Sequence, residues 1–435
     1  MLVSADNELL TKTGAGTPMG EYFRRFWQPV ALSRELPEPD CPPIRVRIMG
    51  EDMVAFRDSK GRIGFVGAKC PHRGASLFYG RNEECGLRCV FHGWKFDVEG
   101  RAVDLPNVAP ESDYHRSMSI KAYPTQEYGD IVWAYLGPRE LIPEVPQLEL
   151  GLLPPSHRFV SKKLQECNWA QAIEGGLDTS HFSFLHMPAP SVPSNANPDA
   201  PADEKRLRWI RNDPMPAFSI LDHDVGFVVG GARKADGKDI YWRMAQFMLP
   251  SHATTPSTLP GENYFGYTFV PITDEACWVY TYAWNPDRAI TDEERAKLES
   301  GHGVVAEVGS DYVPIRNRSN EYLLDRSSQK HESYTGVRGV AEQDAMIQES
   351  QGAIADRTLE HLTATDAAIV RFRRMMLSGA KLLRDGQEPI APARHQSYRL
   401  RSGSWVASEG TPFERVMVER FGDPAGRIVT AGASS

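Results

Sequence analysis

The order of apolar and polar positions divides the chain into two regions of different character. In the first region, short apolar runs alternate with turns that are rich in glycine and proline. The runs that carry this pattern are Ile44–Ile48, Met53–Phe56, Ile63–Val66 and Ile131–Leu136. Short strands separated by such turns are typical of a small all-β domain.

A proline-rich segment separates this region from the rest of the chain. Residues 138–157 contain five prolines and few signals for a strand or a helix, which is typical of a linker. We therefore expect one domain over residues 1–145, with a helical segment at its N-terminus. A second domain is expected over residues 146–435.

The second region has a mixed pattern. Residues 168–187 show helical periodicity, which Pro188 ends. Thr291 and Glu294 form a capping box that opens another helix, and residues 355–383 predict one long helix or two short ones. Residues 301–351 are rich in loop signals and match no clear helix or strand pattern. Strands are expected at Gly226–Gly231, Ile240–Leu249, Tyr264–Val270 and Trp278–Trp284. Grouped strands with helices at the ends predict an α+β fold.

Composition and charge exclude several classes of function. The chain has 49 Lys and Arg against 57 Asp and Glu, so its formal net charge is −8. A nucleic-acid binder or a protein with a basic membrane-docking face is therefore not expected. No apolar run approaches the ~18 residues of a membrane span. The first ten residues lack the features of a secretory signal, and a cytoplasmic protein is expected.

The first chemical motif is a pair of Cys–His clusters. Cys70 and His72 are separated by one residue, and Cys89 and His92 follow as C-x-x-H after sixteen residues. Two Cys and two His are consistent with either a structural zinc site or a Rieske [2Fe-2S] cluster. Zinc sites usually pair Cys with Cys and His with His, whereas here each half pairs one of each. The spacing favours the Rieske cluster.

A second constellation lies in the predicted helix over residues 168–187. Asp178 and His181 are three residues apart and share a helix face, whereas His186 lies ~140° away from His181 on an ideal helix. Two His and one carboxylate form the facial triad of non-haem Fe(II) oxygenases. The alternative is a set of ordinary polar residues on a surface helix. Local spacing leaves the third ligand open among Glu166, Glu174, Asp178 and Asp366.

Arginine side chains suggest the kind of ligand. Arg243 lies in an otherwise apolar strand, where its guanidinium can point into a pocket and bind a carboxylate. Arg206 and Arg208 offer the same chemistry. The alternative for all three is a solvated basic strand edge, so an aromatic carboxylate is favoured without being required.

These motifs, together with Phe23-Arg-Arg-Phe-Trp27 and Phe91-His-Gly-Trp94, resemble the large (α) subunits of Rieske non-haem iron aromatic-ring oxygenases, and most of all their phthalate-type members. The resemblance extends over nearly the whole chain. It implies an N-terminal all-β Rieske [2Fe-2S] domain, followed by a catalytic domain with an antiparallel sheet flanked by helices.

The resemblance also assigns roles to residues. Asp178 is expected to be catalytic, and to link two metal sites by a hydrogen bond to His181 and a contact with the cluster ligand His92 of a neighbouring subunit. The remaining assignments are Cys70, His72, Cys89 and His92 for the [2Fe-2S] cluster; His181, His186 and Asp366 for mononuclear Fe(II); and Arg243, Arg206, Arg208 and Asn168 for the substrate.

The implied activity is that of an oxygenase component. It uses O2 and electrons from a separate NADH-dependent flavin and iron–sulfur reductase to hydroxylate a small aromatic carboxylate by phthalate-type cis-dihydroxylation. The alternatives are a Rieske monooxygenase that performs O-demethylation or N-dealkylation, a Rieske electron carrier, and a zinc-stabilised binding protein. The segment Gly14–Gly20 contains Pro18 and departs from a dinucleotide-binding loop. Phthalate-type members imply a homotrimer or a hexamer of stacked trimers.

Overall fold

The computed structural model describes residues 2–109, 112–194, 197, 200–256 and 258–428. It divides the chain into two compact units. The smaller unit is Thr13–Val145, and the larger combines the residues up to Lys12 with those from Pro146 onward. Helix α1 (Ser4–Thr11) was expected within a 1–145 domain, but it belongs to the larger unit because its packing partners lie there.

The smaller unit consists mainly of short antiparallel strands, which confirms the predicted all-β domain. Its elements are α2 (Pro18–Arg24), β1 (Trp27–Leu32), β2 (Ile44–Ile48), β3 (Glu51–Arg57), β4 (Ile63–Gly67), β5 (Arg81–Glu83), β6 (Gly86–Arg88), β7 (Lys95–Phe96), β8 (Ala102–Asp104), α3 (Tyr114–Ser117), β9 (Thr125–Tyr128) and β10 (Ile131–Tyr135). The strands form sheets in the orders β1-β10-β9, β2-β3-β4 and β5-β6-β7-β8.

The core of the smaller unit lies beneath the two Cys–His motifs. Phe56, Leu87 and Phe96 are fully buried and pack in one cluster with Cys70 and Cys89. The strands before and after the two motifs supply these apolar side chains by their alternating pattern. The apolar core therefore packs against both cysteines. The loops that carry the cysteines lie between β4 and β5 and between β6 and β7.

The larger unit is built on one antiparallel sheet. Its strands are β11 (Arg158–Gln165), β12 (Ala217–His223), β13 (Gly226–Lys234), β14 (Asp239–Met248), β15 (His252–Thr254), β16 (Tyr264–Pro271), β17 (Cys277–Trp284) and β18 (Gly403–Ser408). Their order is β11-β17-β16-β15-β14-β13-β12, and β18 pairs with β14. The long strand β14 is therefore central, with β15 and β18 sharing one of its edges.

Helices lie around this sheet, which confirms the predicted α+β fold. They are α4 (Glu149–Leu152), α5 (Trp169–Leu177), α6 (Ala202–Asn212), α7 (Asp292–Glu299), α8 (Arg326–His331), α9 (Val340–Ser350), α10 (Ala367–Arg384) and α11 (Phe413–Phe421). The capping box predicted at Thr291 and Glu294 opens α7. Across the described ranges, every helix is too short or too polar to cross a membrane.

Two predicted helices were wrong in extent, and a segment without a clear pattern contains helices. The helix predicted over residues 168–187 ends at Leu177, because Gly175 and Gly176 weaken its last turn and Asp178 has extended backbone. The loop-rich segment without a clear pattern, residues 301–351, contains α8 and α9. Residues 355–363 are not helical, and the helix predicted there begins only at Ala367.

A buried charge network fixes α5 against its neighbours. Glu174 accepts hydrogen bonds from Arg357 Nε and Nη2, at 3.1 and 3.0 Å, and from Arg373 Nε at 2.7 Å. Arg373 also donates to Glu360, at 2.8 Å. The two guanidiniums thus face two carboxylates, so the buried charges balance. This network holds the helix from whose C-terminal end Asp178 and His181 follow.

Candidate metal centres and cavity

The two Cys–His loops of the smaller unit have matching local structure. In each, the glycine after the histidine donates its N–H to the cysteine carbonyl: Gly74 to Cys70 at 2.9 Å and Gly93 to Cys89 at 3.0 Å. Both glycines have positive φ, which other residues adopt only with strain. The tight turns place the two cysteine thiols in contact with each other, and burial raises the pKa of Cys70 to about 11.

The histidines of these loops also form a pair. The rings of His72 and His92 lie 4.4 Å apart, and Trp94 stacks on His72 at 4.6 Å. The Nδ1 atoms of both rings are buried and have no hydrogen-bond partner within the described part of the chain. A buried nitrogen without a partner is costly unless a ligand satisfies it. Two thiols side by side and two imidazoles side by side fit a [2Fe-2S] cluster with one iron at each pair.

A second centre forms in the larger unit, at the end of α5 and on α9. His181 Nε2 and His186 Nε2 lie 3.0 Å apart, and Asp344 Oδ1 lies 3.1 Å from His186 Nε2 and 3.6 Å from His181 Nε2. Among the described residues, these three side chains form the one group whose potential ligand atoms all lie within 4.8 Å of one another. Two imidazoles and one carboxylate are the donor set of a facial triad, which leaves positions for O2 and substrate.

Neighbouring side chains orient both imidazoles of this centre. Asp178 Oδ2 lies 3.3 Å from His181 Nδ1, and Gln343 Oε1 lies 2.7 Å from His186 Nδ1. Because the Gln343 amide nitrogen already donates to Val337 O, its oxygen must accept from His186. Both imidazoles therefore donate from Nδ1, which leaves Nε2 of each ring as the atom that would bind a metal.

Hydrogen bonds also keep Asp178 ionised. Ser180 donates to Asp178 Oδ1 from its backbone nitrogen, at 2.6 Å, and from its hydroxyl, at 2.8 Å. Burial alone would raise the pKa of Asp178, but the hydrogen bonds from His181 and Ser180 outweigh it and lower the pKa to about 2. The carboxylate can therefore accept from His181 throughout the physiological range.

The expected third ligand, Asp366, is not part of this centre. Its carboxylate instead accepts from the backbone nitrogen of Thr363, at 2.6 Å, in a capping box that precedes α10. Of the other candidates, Glu174 is engaged by two arginines and Glu166 is exposed at the end of β11. The assignment of Asp366 as a metal ligand was wrong. An Asp stands before this apolar helix because its carboxylate takes part in the capping box there.

Asn168 also has a structural role instead of the predicted contact with substrate. Its side chain caps α5 by accepting from Ala170 N at 3.0 Å, and it donates to Thr11 O and Asp274 O. These hydrogen bonds occupy both ends of its amide, and it is fully buried away from the cavity described next.

A cavity of about 720 Å³ opens onto the second centre. Arg243, from the central strand β14, lines it and is 1% exposed. Its guanidinium lies 4.0 Å from the Phe182 ring, which in turn packs on His186. The Nε and Nη2 atoms have no hydrogen-bond partner in the described ranges. Burial lowers the pKa of Arg243 from its ordinary value, and an arginine remains charged nonetheless. The cavity thus contains a buried cation next to the centre.

The two other predicted arginines differ in their surroundings. Arg206, on α6, lines the cavity and pairs with Glu262 at 3.2 Å. Arg208 is not among the residues that line it and pairs with Asp236 at 2.6 Å. The predicted role of Arg208 in binding substrate therefore has no geometric support, because α6 turns its side chain toward the β13–β14 loop.

Comparison with known families also divides the chain into two parts, whose boundary lies near that of the compact units. Residues 26–124 match the Rieske [2Fe-2S] domain, and residues 134–413 match the family described as LigXa C-terminal domain like. The first match contains both Cys–His loops. The second contains the His–His–Asp group and Arg243.

Three curated relatives match most of the chain. The oxygenase subunit of phthalate 4,5-dioxygenase from Pseudomonas putida is 38% identical, over 90% of this chain and 89% of the relative. The oxygenase subunit of 3-chlorobenzoate-3,4-dioxygenase from Comamonas testosteroni is 33% identical, over 97% and 99%. The oxygenase subunit of 5,5'-dehydrodivanillate O-demethylase from Sphingobium sp. is 31% identical, over 91% and 84%.

Solved structures share the fold at lower sequence identity. Dicamba monooxygenase bound to dicamba has a TM-score of 0.59 at 17% identity, and covers 83% of this chain and 99% of its own. The oxygenase in the reduced complex between oxygenase and ferredoxin of carbazole 1,9a-dioxygenase has a TM-score of 0.57 at 19% identity, over 89% and 98%.

Proposed function

The chain belongs to the Rieske non-haem iron oxygenases, and from this premise we propose that it hydroxylates a small aromatic carboxylate as the terminal component of a multicomponent system. The single observation that supports this substrate class is the buried guanidinium of Arg243. Arg243 lines the cavity that also holds the His–His–Asp group, and two of its nitrogens have no hydrogen-bond partner among the described residues. A carboxylate satisfies both the charge and the hydrogen bonds of such a guanidinium.

The residues present fit both metal groups that this family uses. Cys70, His72, Cys89 and His92 would hold the [2Fe-2S] cluster, and His181, His186 and Asp344 would hold mononuclear iron. When bound, the cluster supplies one-electron transfer and the iron supplies activation of dioxygen.

The protein contributes binding, orientation and exclusion of water. Arg243 binds the carboxylate of the substrate. The Phe182 ring contacts the Arg243 guanidinium and also packs on His186. The ring of the substrate is thereby held beside the metal-binding group in a partly enclosed cavity. Asp178 and Gln343 fix the imidazoles before any ligand arrives, which limits the cost of reorganisation.

Electrons must come from another protein in this proposal. The sequence lacks a dinucleotide-binding fingerprint, and the related carbazole oxygenase forms a complex with a ferredoxin. We propose a flavin and iron–sulfur reductase that passes on electrons from NADH. The resemblance to phthalate-type members supports a homotrimer or a hexamer of stacked trimers in the cytoplasm.

Replacing Arg243 with methionine is expected to raise KM for an aromatic carboxylate by about 10- to 100-fold, because a charge-assisted hydrogen bond to a buried ion is lost. KM for a neutral arene of the same size should change much less. Steady-state oxygen uptake with both substrates measures the difference. Arg208→Met is the matched control, since Arg208 does not line the cavity; an equal effect of the two variants would contradict the proposed anchor.

The function itself is tested by a single turnover. The purified holoenzyme is reduced chemically and mixed with phthalate and isotopically heavy dioxygen, and the product is analysed by mass spectrometry. A diol with two heavy oxygen atoms is expected for cis-dihydroxylation. Oxidation of the cluster without any product from phthalate, benzoate or their simple derivatives would reject an aromatic carboxylate as the substrate.

A demethylase is the second candidate, because one relative that matches 91% of the chain is an O-demethylase subunit. This activity uses the same ligand set, so the metal centres cannot distinguish it. The same experiment with a methoxybenzoate separates the two: formaldehyde and a phenol report demethylation, whereas a diol that keeps its methoxy group reports dihydroxylation.

Replacing Asp178 with asparagine is expected to slow turnover by about 10- to 100-fold while both metal groups stay bound, as is typical for loss of a group that orients a metal-bound histidine. We propose that Asp178 fixes His181 and links the two metal sites. Rapid mixing of the reduced variant with substrate and O2 measures the rate at which the cluster is oxidised. A wild-type rate would contradict both roles.

A further inference from the structure

We infer that Arg233, on β13, is a positioning residue: it holds the turn that carries Asp178 in the orientation in which Asp178 fixes His181. This inference rests on the role proposed for Asp178 and adds the residue that supports that role from the sheet. Arg233 is not a member of the His–His–Asp group and does not line the cavity. It therefore acts on the centre only through the turn.

The turn over residues 178–180 follows directly on the end of α5. Asp178 has extended backbone, and Ser180 donates to its carboxylate from both the backbone nitrogen and the hydroxyl. These hydrogen bonds close the turn on itself, as Asp side chains commonly do in turns. They fix the carboxylate relative to the turn, whereas the orientation of the turn itself depends on contacts outside it.

Arg233 provides such a contact. Its Nη2 donates to Thr179 O, in the middle of the turn, at 2.6 Å. Its Nε donates to Asp213 O, just after α6, at 3.2 Å. Within the described ranges no other donor reaches Thr179 O, and both Thr179 and Arg233 are at most 1% exposed. Without Arg233 this carbonyl would be buried without a donor, which is a cost that a shift of the turn relieves.

Gly231 allows the turn to approach the sheet closely. It precedes Arg233 by two residues on β13, so the two residues share one face of the sheet. A Cβ atom at this position would lie 2.6 Å from Thr179 Oγ1, closer than side chains pack. The turn thus lies against the strand at Gly231, and the guanidinium two residues further along the strand holds it there.

The charge of Arg233 also favours a positioning role. Burial lowers the pKa of Arg233 to about 10, so the guanidinium remains charged at neutral pH. Its hydrogen-bond acceptors in the described part of the chain are two uncharged carbonyls, and it forms no ion pair there. A buried charge without an ionic partner adds little to stability. The planar guanidinium, however, donates in fixed directions, and this property suits it to orient two separate segments.

A double-mutant cycle tests the inference. Arg233→Met, Asp178→Asn, the double variant and wild type are equilibrated anaerobically, as holoenzymes, with increasing concentrations of a ferrous chelator. This competition gives Kd for the mononuclear iron. Arg233→Met is expected to raise Kd by about 3- to 10-fold, which is less than the direct loss of Asp178 should cost. If Arg233 acts through Asp178, the double variant should have the Kd of Asp178→Asn.

Three further variants make the test specific. Arg233→Lys should recover most of the affinity, because an ammonium can still donate to Thr179 O. Gly231→Ala leaves Arg233 in place and displaces the turn, so it should raise Kd as Arg233→Met does and provides the test if Arg233→Met does not fold. Lys234→Met is the matched control, since Lys234 is the next residue on β13 and its side chain is exposed on the other face. It should have the Kd of wild type.

The outcomes separate this inference from the role on which it rests. A Kd that rises in Arg233→Met, recovers in Arg233→Lys and rises no further in the double variant supports the inference. An unchanged Kd in Arg233→Met, losses that multiply in the double variant, or equal losses with Met and Lys overturn it and leave Asp178 in its role. An unchanged Kd in Asp178→Asn overturns the orienting role of Asp178, and this inference with it.

Discussion

Replacing Asp344 with alanine is expected to remove the mononuclear iron while the [2Fe-2S] cluster stays in place. Asp344 supplies the only carboxylate among the described ligand group, so the variant keeps two imidazoles and loses the anionic ligand. Iron content should fall from about three atoms per chain to about two. Product formation should fall to background, whereas the visible spectrum of the cluster should not change.

Asp366 offers a sharp control for this experiment. Its carboxylate accepts from Thr363 and belongs to the helix cap before α10. Asp366→Ala is therefore expected to keep its iron and to lose about 1 kcal/mol of stability, as for other helix caps. Iron analysis of the two purified variants side by side decides between the carboxylates. Loss of iron from Asp366→Ala, with iron retained in Asp344→Ala, would reverse the assignment.

The second large effect concerns stability. Glu174→Gln is expected to destabilise the larger unit by about 3–5 kcal/mol, because the guanidiniums of Arg357 and Arg373 would then be buried with too little negative charge. In a unit of this size, that loss of stability corresponds to a fall in Tm of about 5–10 °C. Scanning calorimetry of the holoenzyme measures it. Glu360→Gln is the control, since Glu360 is half-buried and contacts Arg373 alone, and its effect should be smaller.

The same network makes this contribution dependent on pH. Burial alone would raise the pKa of Glu174, but Arg357 and Arg373 outweigh it and lower the pKa. A carboxylate whose pKa is lower in the folded state stabilises the fold above its unfolded pKa of about 4.3, and loses that contribution as the pH falls. The difference in Tm between wild type and Glu174→Gln should therefore be largest at neutral pH and shrink in acid. A constant difference would contradict the ionic origin.

The sequence predicts those parts of the structure that depend on local patterns. Strands β2 and β16 and the capping box at Thr291 are local, since alternation of apolar residues and a three-residue spacing determine them. The Cys–His loops are equally local, because each lies between two short strands that follow closely in the chain. Prediction succeeds at these points because few distant contacts compete with the local preference.

The third ligand of the iron site depends on distant contacts. Asp344 lies more than 150 residues beyond His186, on a helix in the loop-rich segment whose pattern gives no clear assignment. A local signal was present: Gly339 precedes Val340-Ala-Glu-Gln-Asp-Ala, a run of good helix formers after a helix-start position. That signal predicts that α9 forms, but not where α9 packs in the folded protein. Only the packing of α9 on α5 brings Asp344 and Gln343 to the two histidines.

The partners of buried polar residues also depend on distant contacts that the sequence does not reveal. The sequence indicates that Arg243 lies among apolar neighbours and so needs a partner, and the resemblance assigns Asn168 to the substrate. It does not say which partners they find. Asn168 finds backbone carbonyls at Thr11 and Asp274, so its needs are met within the protein. Two nitrogen atoms of Arg243 have no partner among the described residues, and this is the basis on which we propose that Arg243 binds a ligand.

The position of α1 has a consequence for synthesis of the protein. Its side chains find their partners more than 340 residues later in the chain, where Asn7 donates to Ala355 O and Lys381 donates to Asp6. A ribosome that adds ~5–20 residues per second needs roughly 20–75 seconds to cover that interval. The smaller unit, by contrast, is complete once Val145 has emerged. The iron–sulfur unit can thus fold while the chain is still being made, whereas the oxygen-activating unit must wait for nearly the last residue.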